Sequence, residues 1–216
     1  MVDGPNRGKA AIVAWLALGA LAAAADRPVA WLPAAGVREQ LAAPVGVLWS
    51  GLPLRRAMTS LAANRRVAIL LDRRIDPDQR LDLRTSDTPM AELLETLGEE
   101  RGFGLAALGA VVYLGPPDDA AKLRTVVALR EQEAAALPPA AARRWAQTAP
   151  LSWDDFATPR DILQQLSKKS GVEFVGADRV PHDLWAAADL PPLSLVDRLS
   201  LVAVKFGLTF EISNDG

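Results

Sequence analysis

The sequence predicts an α+β protein made of two small β-α-β-β-α-β(-β) units, each with two helices packed on one face of a small sheet. Three observations carry this. First, one pattern of about 60 residues occurs twice, with Trp49 recurring as Trp153, Ile69 as Phe174 and Phe103 as Phe206. Second, each copy switches between helical and strand periodicity of its apolar residues. Third, proline, glycine and capping residues fall where these periodicities change.

The elements follow in order. Val45-Gly46-Val47-Leu48-Trp49 reads as a strand. Pro53 suits the first position of a helix, where its missing N–H costs nothing. Leu54, Ala57, Met58, Leu61 and Ala62 then recur at helical spacing. The unbroken run Val67–Leu71 suits a buried strand. After a polar turn, Arg80-Leu81-Asp82-Leu83-Arg84 alternates strictly, as a strand with one wet face does. Thr88 suits a helix N-cap with Pro89 next to it, and Met90, Leu93, Leu94 and Leu97 form that helix's apolar stripe. Leu105–Leu108 and Val111–Leu114, joined at Gly109-Ala110, read as a hairpin.

A connector covers residues 118–150. A helix is expected over Asp118–Leu137, broken by Pro138-Pro139, with a second from Ala140 to Gln147. It should pack against the protein, because Val126, Val127 and Trp145 would otherwise be exposed apolar groups.

The second unit, residues 151–216, repeats the plan more loosely. Thr158-Pro159-Arg160-Asp161 approaches a capping box, and Ile162, Leu163 and Leu166 face inward. Glu173-Phe174-Val175 is expected as a strand, and Asp183-Leu184-Trp185-Ala186 as the counterpart of Arg80–Arg84. Ser194 caps a helix with the stripe Leu195, Leu199, Val202 and Phe206, and Leu208–Ile212 alternates as a strand. Asn214-Asp215-Gly216 is a hairpin turn signal with no returning strand after it. Either the second sheet lacks that strand or the sequence is cut short, and a cut is the favoured expectation.

Residues 1–25 have the layout of a signal peptide. Arg7 and Lys9 precede the uncharged apolar run Ala10–Leu21, and Ala22–Ala25 supply small residues before Asp26. The apolar run is short for a membrane span. An uncleaved anchor is the other reading. Residues 26–44, with Pro28, Pro33 and Pro44, lead into the first unit, residues 45–117, with a short helix over Ala35–Ala42. The expected location is the periplasm or cell envelope, with no membrane span once the signal is removed.

The composition excludes much chemistry. The 216 residues contain no cysteine and one histidine, which rules out disulfides and thiolate ligands and argues against a zinc site. A net charge of −2 and a single tyrosine argue against nucleic acid. His182 reads as a turn residue. The acid pairs Glu99-Glu100, Asp118-Asp119 and Asp154-Asp155 lack calcium-loop spacing and read as solvated or helix-capping groups. Arg65-Arg66, Arg73-Arg74 and Arg143-Arg144 alternate with acids and read as solvated faces. Trp49, Trp153 and Trp185 read chiefly as packing residues. No catalytic, cofactor or metal residues are assigned, and the chain is read as non-enzymatic.

The run Leu52–Asp72 of the first copy, LPLRRAMTSLAANRRVAILLD, followed by RLDLRTSDTPMAELLETLGEERGFGL, resembles the secretin and TonB short N-terminal domain. Pro89-Met90-Ala91-Glu92-Leu93-Leu94 carries the resemblance best. Asp161–Leu166 and Leu195–Leu199 carry it more loosely in the second copy. The resemblance implies a periplasmic module that binds another protein, usually joined to an outer-membrane channel; these 216 residues contain no such barrel sequence. The expected function is therefore protein–protein interaction or assembly with an envelope protein. Arg80, Leu81, Asp82, Leu83 and Arg84 are the candidate strand edge for a partner, although their charges also suit protection of an edge. The alternative is binding of cell-wall material or a small molecule in the cleft between the units, lined by Trp153 or Trp185.

Overall fold

The computed structural model describes residues 29–213. The signal-like segment and the Asn214-Asp215-Gly216 turn therefore lie outside the described residues. Helix α1 (Ala34–Ala42) leads into β1 (Pro44–Pro53), α2 (Leu54–Arg65), β2 (Ala68–Leu71), β3 (Arg80–Pro89), α3 (Met90–Arg101), β4 (Gly104–Leu108) and β5 (Val111–Gly115). The connector forms α4 (Pro117–Ala136) and α5 (Pro139–Ala146). The second unit adds β6 (Ala149–Trp153), α6 (Pro159–Ser170), β7 (Ala188–Leu193) and α7 (Leu195–Ala203). The architecture is mixed α+β.

The strands of the first unit divide between two sheets. β1 and β3 form an antiparallel ribbon, while β2, β5 and β4 form a three-stranded sheet with β5 in the centre. One core joins Val45, Trp49 and Leu81 of the ribbon, Leu54, Met58, Leu94 and Leu97 of α2 and α3, and Val112 and Leu114 of β5. The two helices thus lie between ribbon and sheet. Helical spacing brings their apolar stripes together, but a two-helix layer has apolar surface on both sides, so one sheet cannot cover it.

Local chemistry sets the element ends, with two differences from expectation. Pro53 and Pro89 are the N-caps of α2 and α3 rather than their first helical residues. Thr88 stays in β3, where its hydroxyl meets that of Thr85 at 2.5 Å. β3 accordingly runs well past Arg84. In β1, the pairing slips between Trp49 and Leu52. Gly51 sits there at φ +58, a conformation that glycine adopts freely. Asp82 Oδ1 accepts its N–H and Arg80 Nη1 donates to its carbonyl, both at 2.8 Å. Two of the alternating charges of β3 therefore hold a bulge in the neighbouring strand.

β5 explains how the units join. Strand alternation sends Val112 and Leu114 into the first core, and Val111 and Tyr113 into a second core on the opposite face of the sheet. That second core contains Leu123 and Val127 of α4, Trp145 of α5, Leu151 and Trp153 of β6, and Leu195, Leu199 and Val202 of α7. The sheet is apolar on both faces and the connector and second unit cover its back.

The second unit departs most from expectation. Its ribbon is formed by β6 with β7, not by Asp183–Ala186. The latter makes a single bridge, Trp185 with Ala157. β7 contains Pro191 and Pro192, neither of which has an N–H to donate. The pairing jumps from Leu151–Leu190 to Ala149–Leu193, leaving both prolines at the irregularity. Thr158 caps α6 and Ser194 caps α7, the latter with the reciprocal Asp197 bond.

Glu173–Val175 and Leu208–Ile212 do not form strands. They correspond to β2 and β4, which in the first unit do not touch each other but pair on either side of β5. No described strand of the second unit occupies the central position. Without it, neither flanking segment has a hydrogen-bonding neighbour.

Candidate functional site

Three surfaces are candidates. The first is the predicted edge, Arg80–Arg84. β3 pairs with β1 along one side, with Arg80 opposite Pro53, Leu81 opposite Leu52, Leu83 opposite Trp49 and Arg84 opposite Leu48. No second strand pairs with β3 among the described residues. Leu81 is buried in the first core, while Arg80, Asp82 and Arg84 are exposed.

The second is a groove in the second unit of about 640 Å³. Its floor is Leu163 of α6 and Leu199 and Val202 of α7. Its walls are the unpaired segments: Val172–Val175 on one side and Leu208–Glu211 on the other. Trp145 closes one end, stacked on Phe210 at 5.8 Å between ring centres. Among the described residues, Glu173–Val175 and Thr209–Ile212 make no backbone hydrogen bonds to another segment. Val175 is 94% exposed, an unusual position for a branched apolar side chain beside an apolar groove.

The third is a cleft of about 620 Å³ between the units. β2 ends at Leu71, and the next residue, Asp72, is buried, its N–H donating to the Leu114 carbonyl of β5 at 2.8 Å. Asp72 accepts from Tyr113 Oη at 2.5 Å, and from Arg74 Nε and Nη2 at 2.9 Å each. Arg74 also donates to Asp119 of α4 and to the Val204 carbonyl, both at 2.7 Å. One guanidinium thus ties the first unit to the connector and to the end of α7. The bonded Asp72 carboxylate raises Arg74 above its usual range against the opposing effect of burial. Burial first, then Asp72, pushes the Tyr113 phenol far up.

Beside this network, Arg73 pairs with Asp183, whose Oδ2 also accepts from Trp185 Nε1 at 2.8 Å. Burial alone would raise Asp183, but these two donors together with the Leu184 backbone N–H bring it below the ordinary carboxylate value. Trp185 lies against Trp153 at 5.4 Å and stacks on Phe206 at 5.8 Å. Lys205 reaches over this cluster, its Nζ 3.9 Å from the Trp185 ring centre and 5.6 Å from that of Trp153. It is 5% exposed, and burial holds its ammonium down to about 8.

No family model matches the chain, and no curated protein matches it.

The structure brings Trp153, Trp185, Arg73 and Asp183 together. His182 lies exposed in an irregular segment rather than a turn, and Glu99 and Glu100 are exposed at the end of α3. Asp118 and Asp119 occupy the first turn of α4, and Asp155 accepts the Ala187 N–H at 2.7 Å. Among the described residues no group of three or more His, Asp and Glu is placed to hold a metal. No described helix is long and apolar enough to cross a membrane. Sequence reasoning misses Lys205, Asp72 and Tyr113. The one available signal is Lys205 itself, a lone cation in the apolar run Leu199–Phe206. Asp72 and Tyr113 lie 41 residues apart with no spacing pattern to connect them.

Proposed function

We propose that this protein is a non-enzymatic interaction module of the cell envelope that accepts a β-strand from a partner polypeptide. The observation that carries the reading is the groove between Val172–Val175 and Leu208–Glu211. In the first unit the corresponding place is filled by β5, whose five residues are all buried. A partner strand would gain backbone hydrogen bonds from both unpaired segments and an apolar seat on α6 and α7. The outer edge of β3 at Arg80–Arg84 is a second place for strand addition, but its charges disfavour a neighbour. The resemblance to the secretin and TonB short N-terminal domain supports the same class of function. The signal-like segment supports an exported, periplasmic or envelope-associated location.

Hydrogen exchange of the whole protein tests the reading, with and without a synthetic peptide copying Ala110–Pro116, which contains β5. Residues 173–175 and 209–212 should become protected by the peptide and not by its scrambled version. Unchanged exchange there would defeat the proposal. For location, N-terminal sequencing of the protein recovered from the periplasm should begin near Asp26; recovery only from the cytoplasm would contradict it.

A further inference from the structure

We propose that the cleft between the units binds a small carboxylate, with Lys205 holding its charged end and Trp185 and Trp153 its apolar body. This does not rest on strand acceptance: the chain around Lys205 borders both sites, but Lys205 lines the cleft, Ala203 and Phe206 line the groove, and no residue lines both. An ammonium has three donors, and aromatic faces answer its charge without accepting conventional hydrogen bonds. Lys205 has no oxygen acceptor among the described residues, although it is almost completely buried and lines the cleft.

The charged groups around it do not supply one. Asp72 is engaged by Arg74 and Tyr113, and Asp183 by Arg73 and Trp185. Arg73 also lies over Phe206, 5.1 Å from its ring centre. Arg55 of α2 lines the same cleft and adds positive charge, while Asp189 of β7 is the remaining acid of the lining. The unspent donors are thus cationic, and a carboxylate supplies two acceptor oxygens. Ala68, Leu70, Ala186 and Leu190 contribute apolar wall, which selects a ligand with a hydrocarbon or aromatic body over a bare anion. The volume falls in the usual range for small-molecule sites.

The probe pair is benzoate and benzyl alcohol, similar in shape and different in charge. Each is titrated into the ¹⁵N-labelled protein while the indole N–H signals of Trp153 and Trp185 are followed. Benzoate should shift both signals saturably and bind at least about tenfold more tightly than benzyl alcohol. Its affinity should fall as pH rises through about 8, where Lys205 loses its proton. Lys205→Met should abolish the preference for benzoate, and Lys205→Arg should keep it. If Lys205→Met fails to fold, the probe pair and the pH series in the unmutated protein still decide. Equal affinity for both probes, no saturable shift with benzoate, or an undiminished preference in folded Lys205→Met would overturn the proposal. Loss of peptide protection at residues 173–175 leaves this outcome unaffected, so the two readings fail separately.

Discussion

Tyr113 Oη donates to Asp72 Oδ2 at 2.5 Å, linking the central strand β5 to the end of β2 where both side chains are buried. Arg74 supplies the positive charge and carries the link onward to α4 and α7. Removing the acid leaves a phenol and a guanidinium without their shared acceptor. Asp72→Ala should therefore cost ~3–5 kcal/mol, and Tyr113→Phe ~1–2 kcal/mol, because Arg74 still satisfies the carboxylate. Urea denaturation measures both. Similar small losses for the two variants would show that the network is not anchored on Asp72.

The three-stranded sheet has a core on each face, so the two units should unfold together. Leu123 of α4 is 2% exposed in the second core, and Leu123→Ala should cost ~2–5 kcal/mol. The thermal transition should stay single and coincide by circular dichroism and tryptophan fluorescence, which reports Trp49 in one core and Trp153 in the other. Two resolved transitions would mean that the shared sheet does not couple the units.

Lys205 makes a signed prediction about pH. Burial lowers its folded value to about 8 from an ordinary 10.5. Between these values the unfolded chain retains a proton that the folded chain has released, so stability attributable to this group rises with pH. Relative to Lys205→Met, the unmutated protein should gain up to ~3 kcal/mol across that window. Denaturation at a series of pH values reads the difference. A pH-independent gap between the two proteins would count against a buried ammonium.

Gly98 distinguishes propensity from packing. In an isolated helix Gly→Ala would stabilise by ~1 kcal/mol. Here a Cβ would lie 2.3 Å from the Phe103 carbonyl oxygen, which is backbone. Phe103 N also bonds the Gly98 carbonyl at 2.9 Å, so the turn has little room to yield. Gly98→Ala should therefore lose ~1–3 kcal/mol. A rise in melting temperature would show that α3 and β4 separate readily.

Much of the fold is readable from the chain. Helices α2, α3, α6 and α7 show in their apolar stripes, since a helix side must repeat every three or four residues to stay buried. Ser194 and Thr158 mark their helix starts because a hydroxyl at an N-cap acts within one turn. The β4–β5 hairpin is visible for the same local reason. Arg80–Arg84 is recognisable as a strand, but not that Arg80 and Asp82 hold Gly51 across the ribbon. That relation depends on register, which alternation alone does not specify.

What the sequence by itself determined is the repeat, the α+β class and the short-range elements, all properties of periodicity and capping over a few residues. Tertiary structure decided which of the apolar segments became strands. Leu208–Ile212 alternates and Leu105–Leu108 does not, yet among the described residues only the latter is a strand, because only β4 has a central strand, β5, beside it. A strand is completed by its neighbour's hydrogen bonds, and no local pattern contains that neighbour. The inter-unit cleft has the same origin: Asp72, Tyr113, Trp153, Trp185 and Lys205 meet because one sheet buries both of its faces.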